Sequence, residues 1–312
     1  MEYRDFAARL LERDGFLILS HKNPDGDTLG SGAALCSALR RKGKTACVNR
    51  NVQITPKTEG YLAPFFAPED FVPDCIVAVD IATPGLFPIG FEGAVDFCID
   101  HHPTNSGYAG LTLLHDEKSS CGEAVLELID CMTGSVTQEE ATLLFIALTT
   151  DTGCFQYMNT NADTMRCAAR LIELGADQHK IVHDFFRKVS AARLKLEGMI
   201  YSSMRFYREN RIVTALVTQE MLRTAGTTEN DLDDLAGLPG RAEGGDLTIL
   251  IRELEDGRSK CSLRSTPRVD SSAICAVYGG GGHFMAAGVT LECAPREAEK
   301  LLLQAAERVW PE

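Results

Sequence analysis

Four chain-separated segments set carboxylates and imidazoles where apolar runs end: His21-Lys22-Asn23-Pro24-Asp25-Gly26-Asp27, Val79-Asp80, Ile99-Asp100-His101-His102 and Thr149-Thr150-Asp151. Oxygen and imidazole ligands together suit hard to borderline divalent metals. Two neighbouring ions in such a cage favour hydrolysis at phosphorus, because they hold attacking water and scissile phosphate together. Each segment alone has a plainer reading. Asn-Pro-Asp-Gly-Asp makes an ordinary turn, Asp80 before Thr83-Pro84 caps a strand, and Asp151 before Thr152-Gly153 ends a helix. His101-His102 is harder to explain by packing. The four together, in this order, predict one metal site assembled by folding.

A second signal lies downstream. Gly279-Gly280-Gly281-Gly282-His283 exposes backbone N–H groups and lets a phosphate approach closely, with His283 as an added donor. A flexible turn is the competing reading. Ala286-Ala287-Gly288, with helix and strand patterns on either side, favours a ligand loop.

These residues need elements to position them. Apolar runs at Gly15 to Ser20, Lys44 to Val48, Cys75 to Asp80 and Val95 to Asp100 predict strands, and Leu29 to Lys42 predicts a helix. Ser120-Cys121-Gly122-Glu123 and Thr137-Gln138-Glu139-Glu140 have capping-box spacing and predict helices near 121–133 and 138–150. Further amphipathic stretches follow at about 161–175 and 178–188. The alternation gives an α/β fold with a mostly parallel sheet flanked by helices, whose crevices lie at the carboxyl ends of its strands. The helical run 190–207 reads as a connector. Beyond it, strands at Ile212 to Val217, Leu247 to Leu254, Lys260 to Arg264 and 287–292, with helices near 270–277 and 295–309, predict a smaller α/β domain. The expected division is 1–188, a connector at 189–207, and 208–312.

At 312 residues, 45% hydrophobic and 24% charged, the composition is that of a globular protein. No apolar stretch approaches the roughly 20 residues of a membrane span, so no membrane partner is expected. Met1-Glu2-Tyr3-Arg4-Asp5 is too charged to read as a signal peptide. Eleven cysteines without a CxxC pair fit a reducing, cytoplasmic setting. A net charge of −13 argues against long duplex nucleic acid and leaves a small phosphorylated molecule as partner. A homodimer stands as a candidate assembly.

The chain resembles the DHH family of phosphoesterases, named for the triplet seen here as Asp100-His101-His102. All four N-terminal motifs of that family are present, ending in Thr150-Asp151-Thr152-Gly153. The resemblance implies two divalent ions, Mn²⁺ or less commonly Mg²⁺. His21, Asp25 and Asp80 would hold one; Asp27, Asp80, His101 and Asp151 would hold the other, with Asp80 shared. His102 would touch the substrate phosphate or leaving group, with Asp100 orienting the histidines. The glycine cluster and Ser262-Leu263-Arg264-Ser265 resemble the DHHA1 domain, which implies that Arg264, Gly281, Gly282 and His283 grip the phosphate or nucleotide. Family II pyrophosphatases lack that domain, RecJ-type exonucleases are longer, and membrane-bound cyclic-dinucleotide phosphodiesterases carry spans. What remains resembles enzymes that trim very short single-stranded oligoribonucleotides to mononucleotides and convert 3′-phosphoadenosine 5′-phosphate (pAp) to AMP. A stand-alone phosphodiesterase for cyclic dinucleotides or their linear products is the alternative. A catalytically idle nucleotide-binding protein is an alternative of another class. Tyr108, Phe155 and Phe284 are candidates to stack a base, with core packing the first expectation for each.

Overall fold

A computed structural model describes residues 1–227, 231–232 and 235–310, with backbone alone at 56 and 57. The chain forms two compact units, Met1–Lys188 and Val189–Glu312. Among the described residues no helix is long and apolar enough to cross a membrane.

The first unit runs α1 (Tyr3–Leu11), β1 (Phe16–Leu19), α2 (Gly26–Arg41), β2 (Ala46–Val48), α3 (Pro56–Leu62), β3 (Cys75–Val79), β4 (Phe97–Asp100), β5 (Leu111–Leu114), α4 (Cys121–Thr133), α5 (Gln138–Asp151), α6 (Ala162–Glu173) and α7 (Gln178–Val182). Its strands pair in parallel in the order β2-β1-β3-β4-β5. Chain order therefore reverses between β1 and β3. A parallel sheet opens its ligand crevice at such a switch point, beyond the carboxyl ends of the strands. His21 to Asp27 follow β1, and Asp80 follows β3. Helix α2 is buried from Gly26 to Leu39 and packs against α5. Two glycines permit that approach: a Cβ at Gly26 would stand 2.5 Å from the Thr150 side chain, and one at Gly30 would stand 2.4 Å from the Leu143 carbonyl oxygen. The close packing brings Asp27 and Asp151 to one place.

The second unit runs α8 (Ala191–Ser203), β6 (Arg205–Tyr207), β7 (Ile212–Val217), α9 (Gln219–Ala225), β8 (Leu247–Glu253), β9 (Ser259–Ser265), α10 (Ser271–Ala276), β10 (Gly281–His283), β11 (Ala286–Leu291) and α11 (Pro295–Val309). Its sheet has the order β10-β11-β9-β8-β7-β6, antiparallel except between β7 and β8. One face packs Ile249, Ile251, Leu263 and Val289 against Leu302 and Ala306 of α11. On the other, Leu196 and Ile200 of α8 cover Ala215, Val217 and Leu250. The rest of that second face is exposed at Lys260, Arg264, Gly281, His283, Gly288 and Thr290.

Several local expectations change. The helical run predicted over 190–207 stops at Ser203, because Arg205, Phe206 and Tyr207 pair as an edge strand with β7. Helix α2 starts at Gly26 rather than Leu29, since the Asp25 carboxylate caps it by accepting from the Asp27 and Thr28 N–H groups. The capping box at Thr137 and Glu140 forms, whereas the Ser120 side chain makes no cap bond. The glycine cluster is partly a strand: Gly281 to His283 pair with Ala286 to Gly288.

Candidate metal centre

Each predicted ligand in the first unit is held by a local device. Ser20 donates to the Asn49 side-chain oxygen, and the buried Asn51 amide donates to the Ser20 hydroxyl and the His21 carbonyl, which fixes the loop after β1. The His21 Nδ1–H lies 2.8 Å from the Lys22 carbonyl, so Nε2 is the free nitrogen; it stands 3.6 Å from Asp25 and 3.7 Å from Asp80. Asp27 is fully buried in the first turn of α2. Its oxygens accept from the Cys121 N–H at 2.7 Å, the Gly122 N–H at 3.0 Å and the Ser31 hydroxyl at 2.9 Å. The N-terminus of the 13-residue α4 thus aims at an anion, as its dipole and unpaired N–H groups favour.

Asp80 sits just past β3 with φ 61°, a left-handed conformation uncommon for a side-chain-bearing residue. Such backbone strain persists where surrounding structure over-determines it, and it clusters at functional sites. Asp100, at the end of β4 and fully buried, works from behind. One oxygen accepts from the His101 N–H, the His102 N–H and the His102 Nδ1–H, and the other accepts from the Asn105 amide at 2.6 Å. Burial alone would raise the Asp100 pKa; the bonds from His102 and Asn105 outweigh it and hold the group below its ordinary value. The His102 side chain is 42% exposed, and among the described residues its Nε2 has no hydrogen-bond partner. His101 gives its Nδ1–H to the Lys118 carbonyl and turns Nε2 toward Asp27, Asp80 and Asp151, at 3.7, 3.4 and 3.6 Å.

Three groups of ligand atoms result: His21, Asp25 and Asp80; Asp27, His101 and Asp151; and Asp80, His101 and His102. Separations of 3.4–3.7 Å exceed those of hydrogen bonds. They suit donors sharing one cation at roughly 2 Å from each. Among the described residues no lysine or arginine forms an ion pair with these carboxylates. The Asp80 Oδ1 and His101 Nε2 atoms are buried without a hydrogen-bond partner. Burial, then the charge of neighbouring carboxylates, pushes Asp27 and Asp80 well above the ordinary carboxylate range. Asp151 is raised as well, chiefly by burial, and it lies at the C-terminus of α5, where the helix dipole disfavours an anion. These residues fit a divalent metal pair.

All eight predicted residues of the first unit meet here. In the second unit, Arg264 and His283 fall on one cross-strand row through Ala286, which sets them on the same sheet face about 10 Å apart. Tyr108 is committed to packing, donating to the Ile81 carbonyl and meeting Phe87 edge-on, and Phe155 packs on Phe145; Phe284 is exposed. Asn51, Asn105, the Lys118 carbonyl and the α4 N–H groups were not predicted. Asn105, three residues past the His pair, was the one with a readable sign: a short amide after a ligand cluster.

Known proteins share this arrangement. The DHH family, N-terminal domain, matches residues 15–148, and the DHHA1 domain matches 210–310. The chain is 35% identical over 282 residues to the bifunctional oligoribonuclease and PAP phosphatase NrnA of Thermus thermophilus, covering 88% of this chain and 83% of that one. It is 24% identical over 293 residues to the enzyme of the same name from Bacillus subtilis, covering 89% and 90%. The crystal structure of an exopolyphosphatase-related protein from Bacteroides fragilis matches with a TM-score of 0.87 and 25% identity, over 98% of this chain and 96% of that one.

Proposed function

The chain belongs to the DHH family of phosphoesterases and carries its DHHA1 domain, and from that premise we propose that it hydrolyses short oligoribonucleotides to mononucleotides and pAp to AMP. The names of the Thermus thermophilus and Bacillus subtilis relatives support this substrate pair. The observation that carries the hydrolytic reading is the cage of unneutralised carboxylates and inward Nε2 atoms beside an exposed His102 braced by Asp100.

DHH phosphoesterases are metal-dependent. We assign His21, Asp25 and Asp80 to one ion and Asp27, Asp80, His101 and Asp151 to a second, with Mn²⁺ the expected metal and Mg²⁺ a substitute. When bound, such a pair supplies Lewis-acid chemistry, easing ionisation of water and offsetting charge on phosphoryl oxygens. The chain's own residues do the rest. Asp100, kept ionised by its hydrogen bonds, accepts from the Nδ1–H of His102 and so orients Nε2 to give a proton to the departing oxygen. Asp27, locked by α4, holds its oxygens in place without a rotamer search. Arg264, whose planar fork pairs two phosphate oxygens, and His283 with the Gly281 and Gly282 backbone would bind the nucleotide's phosphate.

Purified protein with Mn²⁺, assayed side by side on pAp, a linear dinucleotide and a cyclic dinucleotide, is expected to turn over the first two. Preference for the cyclic compound would replace the substrate reading. Absence of Mn²⁺-dependent phosphate or mononucleotide release from all three would leave a nucleotide-binding protein and overturn the proposal.

A further inference from the structure

We propose that Arg252 and Lys260 form a second phosphate-binding strip at a cavity on β8 and β9 of the second unit, for the part of an oligonucleotide beyond its cleaved nucleotide. The inference rests on the reading that the substrate is a short nucleotide chain. In the β8–β9 ladder Arg252 stands directly opposite Lys260, Leu250 opposite Ser262, and Thr248 opposite Arg264. Directly opposed residues of an antiparallel pair project from the same face. Arg252, Lys260, Ser262 and Arg264 therefore share one surface, and with Leu235 and Leu250 they line a cavity of 270 Å³.

The charges there are unusual for this chain. Like charges directly opposite on paired strands destabilise the pair. Among the described residues no acid forms an ion pair with Arg252, Lys260 or Arg264, whereas Arg211 pairs with Asp246, Arg258 with Asp256 and Arg223 with Glu220. The chain carries a net charge of −13, yet among the described residues no carboxylate pairs with this strip. A local choice that opposes folding and has no compensation within the fold marks a functional site. Ser262, between Lys260 and Arg264 on β9, is small and half-buried, and the neighbouring strand adds Ala286, Gly288 and Thr290 to that face.

Alternate residues recur about 6.7 Å apart along a strand, so Lys260 and Arg264 root their side chains about 13 Å apart, a row long enough to meet successive phosphates of an extended single strand. Leu235 and Leu250, themselves buried, close the inner wall of the cavity.

The test uses Lys260→Gln, Arg252→Gln and the double variant, with Lys300→Gln, an exposed α11 lysine, as charge control. Initial rates are measured on pAp and on di-, tri- and tetranucleotides at several salt concentrations. The double variant should lower kcat/KM for the trinucleotide relative to pAp by about tenfold or more, through KM, as expected for charge-assisted hydrogen bonds to phosphate. The salt dependence of log KM should flatten by about 0.7 for each phosphate that the variant no longer neutralises. Its melting temperature should not fall, because an opposed like-charge pair has been relieved. The control should leave the substrate ratio unchanged. An unchanged substrate ratio in the double variant, an equal loss on pAp and trinucleotide, or a loss accompanied by lower melting temperature would overturn the strip. A wild-type protein inactive on every oligonucleotide would instead sink the substrate reading on which it rests.

Discussion

In the first unit the carboxylates of Asp25, Asp27, Asp80, Asp100 and Asp151 converge around three imidazoles, whereas in the second Arg252, Lys260 and Arg264 share a sheet face and, among the described residues, pair with no acid. The net charge of −13 averages over these two opposite excesses. Their settings differ as well. The carboxylates lie at strand and helix ends, largely buried, where an unpaired charge is costly and a counter-ion is worth most. The cations lie on an open face, where water screens them and the cost of leaving them unpaired is small. Each setting accords with its proposed role, divalent cations held in the first unit and phosphate oxygens bound in the second.

The largest expected effect breaks the first half of this contrast. Asp80 shares ligand groups with His21, Asp25, His101 and His102, so Asp80→Ala removes a carboxylate common to two of the three groups. Turnover at saturating Mn²⁺ should fall by about three orders of magnitude or more, as befits several kcal/mol of lost charge stabilisation. Near-wild-type rates would remove the two-ion assignment. His102→Gln comes next. It leaves the buried ligands in place, so kcat should drop by roughly a hundredfold. Mn²⁺ affinity by titration calorimetry should stay within a few-fold. Loss of metal binding in step with activity would make His102 a ligand first and a proton donor second.

How much of this was legible in the sequence depended on whether side chains or geometry carried the information. The ligand set stood out because Asp and His rarely close apolar strands together, and because parallel strands present their carboxyl ends to one crevice. The α4 N-terminus on Asp27 left no trace, since Cys121 and Gly122 act through backbone N–H groups. Ser120 and Glu123 pointed to a box that does not form; Glu123 accepts from the Ser119 N–H instead. Strand β5 has four residues, too few for a period to declare itself. The opposition of Arg252 and Lys260 depends on register, and a slip of one residue would send either to the other face. In the 190–207 run, Arg205-Phe206-Tyr207 extends the apolar pattern, and only pairing with β7 decides for a strand.

The smallest effect sharpens the contrast through acid and base. In metal-free protein Asp27, Asp80 and Asp151 sit above their ordinary values, so the folded first unit holds protons that the unfolded chain has released. Its stability must then fall as pH rises from about 4 through those raised values. His21 and His101 act with the same sign: burial alone would lower them, but Asp25 at His21 and Asp27 at His101 raise both. Their share is full below about pH 6.5 and is lost as pH rises through the folded values. In the second unit Glu299 behaves oppositely. It is buried, which favours its neutral form, yet bonds from Thr214, Arg296 and Tyr207 hold it below the ordinary range. Its contribution is full above about pH 4.5 and disappears as pH falls through its lowered value. Trp310, the chain's one tryptophan, lies in the second unit against Arg208 and Arg211, so its fluorescence reports that unit alone. With chelator present, calorimetry should show the first unit melting several degrees higher at pH 5.5 than at pH 8, at about 2–4 °C per kcal/mol. The Trp310 transition should not rise with it. Added Mn²⁺ should reverse the first trend, because metal competes with protons for the same atoms and gains most at high pH. One transition with a single pH slope in both probes, or a Mn²⁺ shift of equal size at both pH values, would show that the carboxylate cage is not short of positive charge.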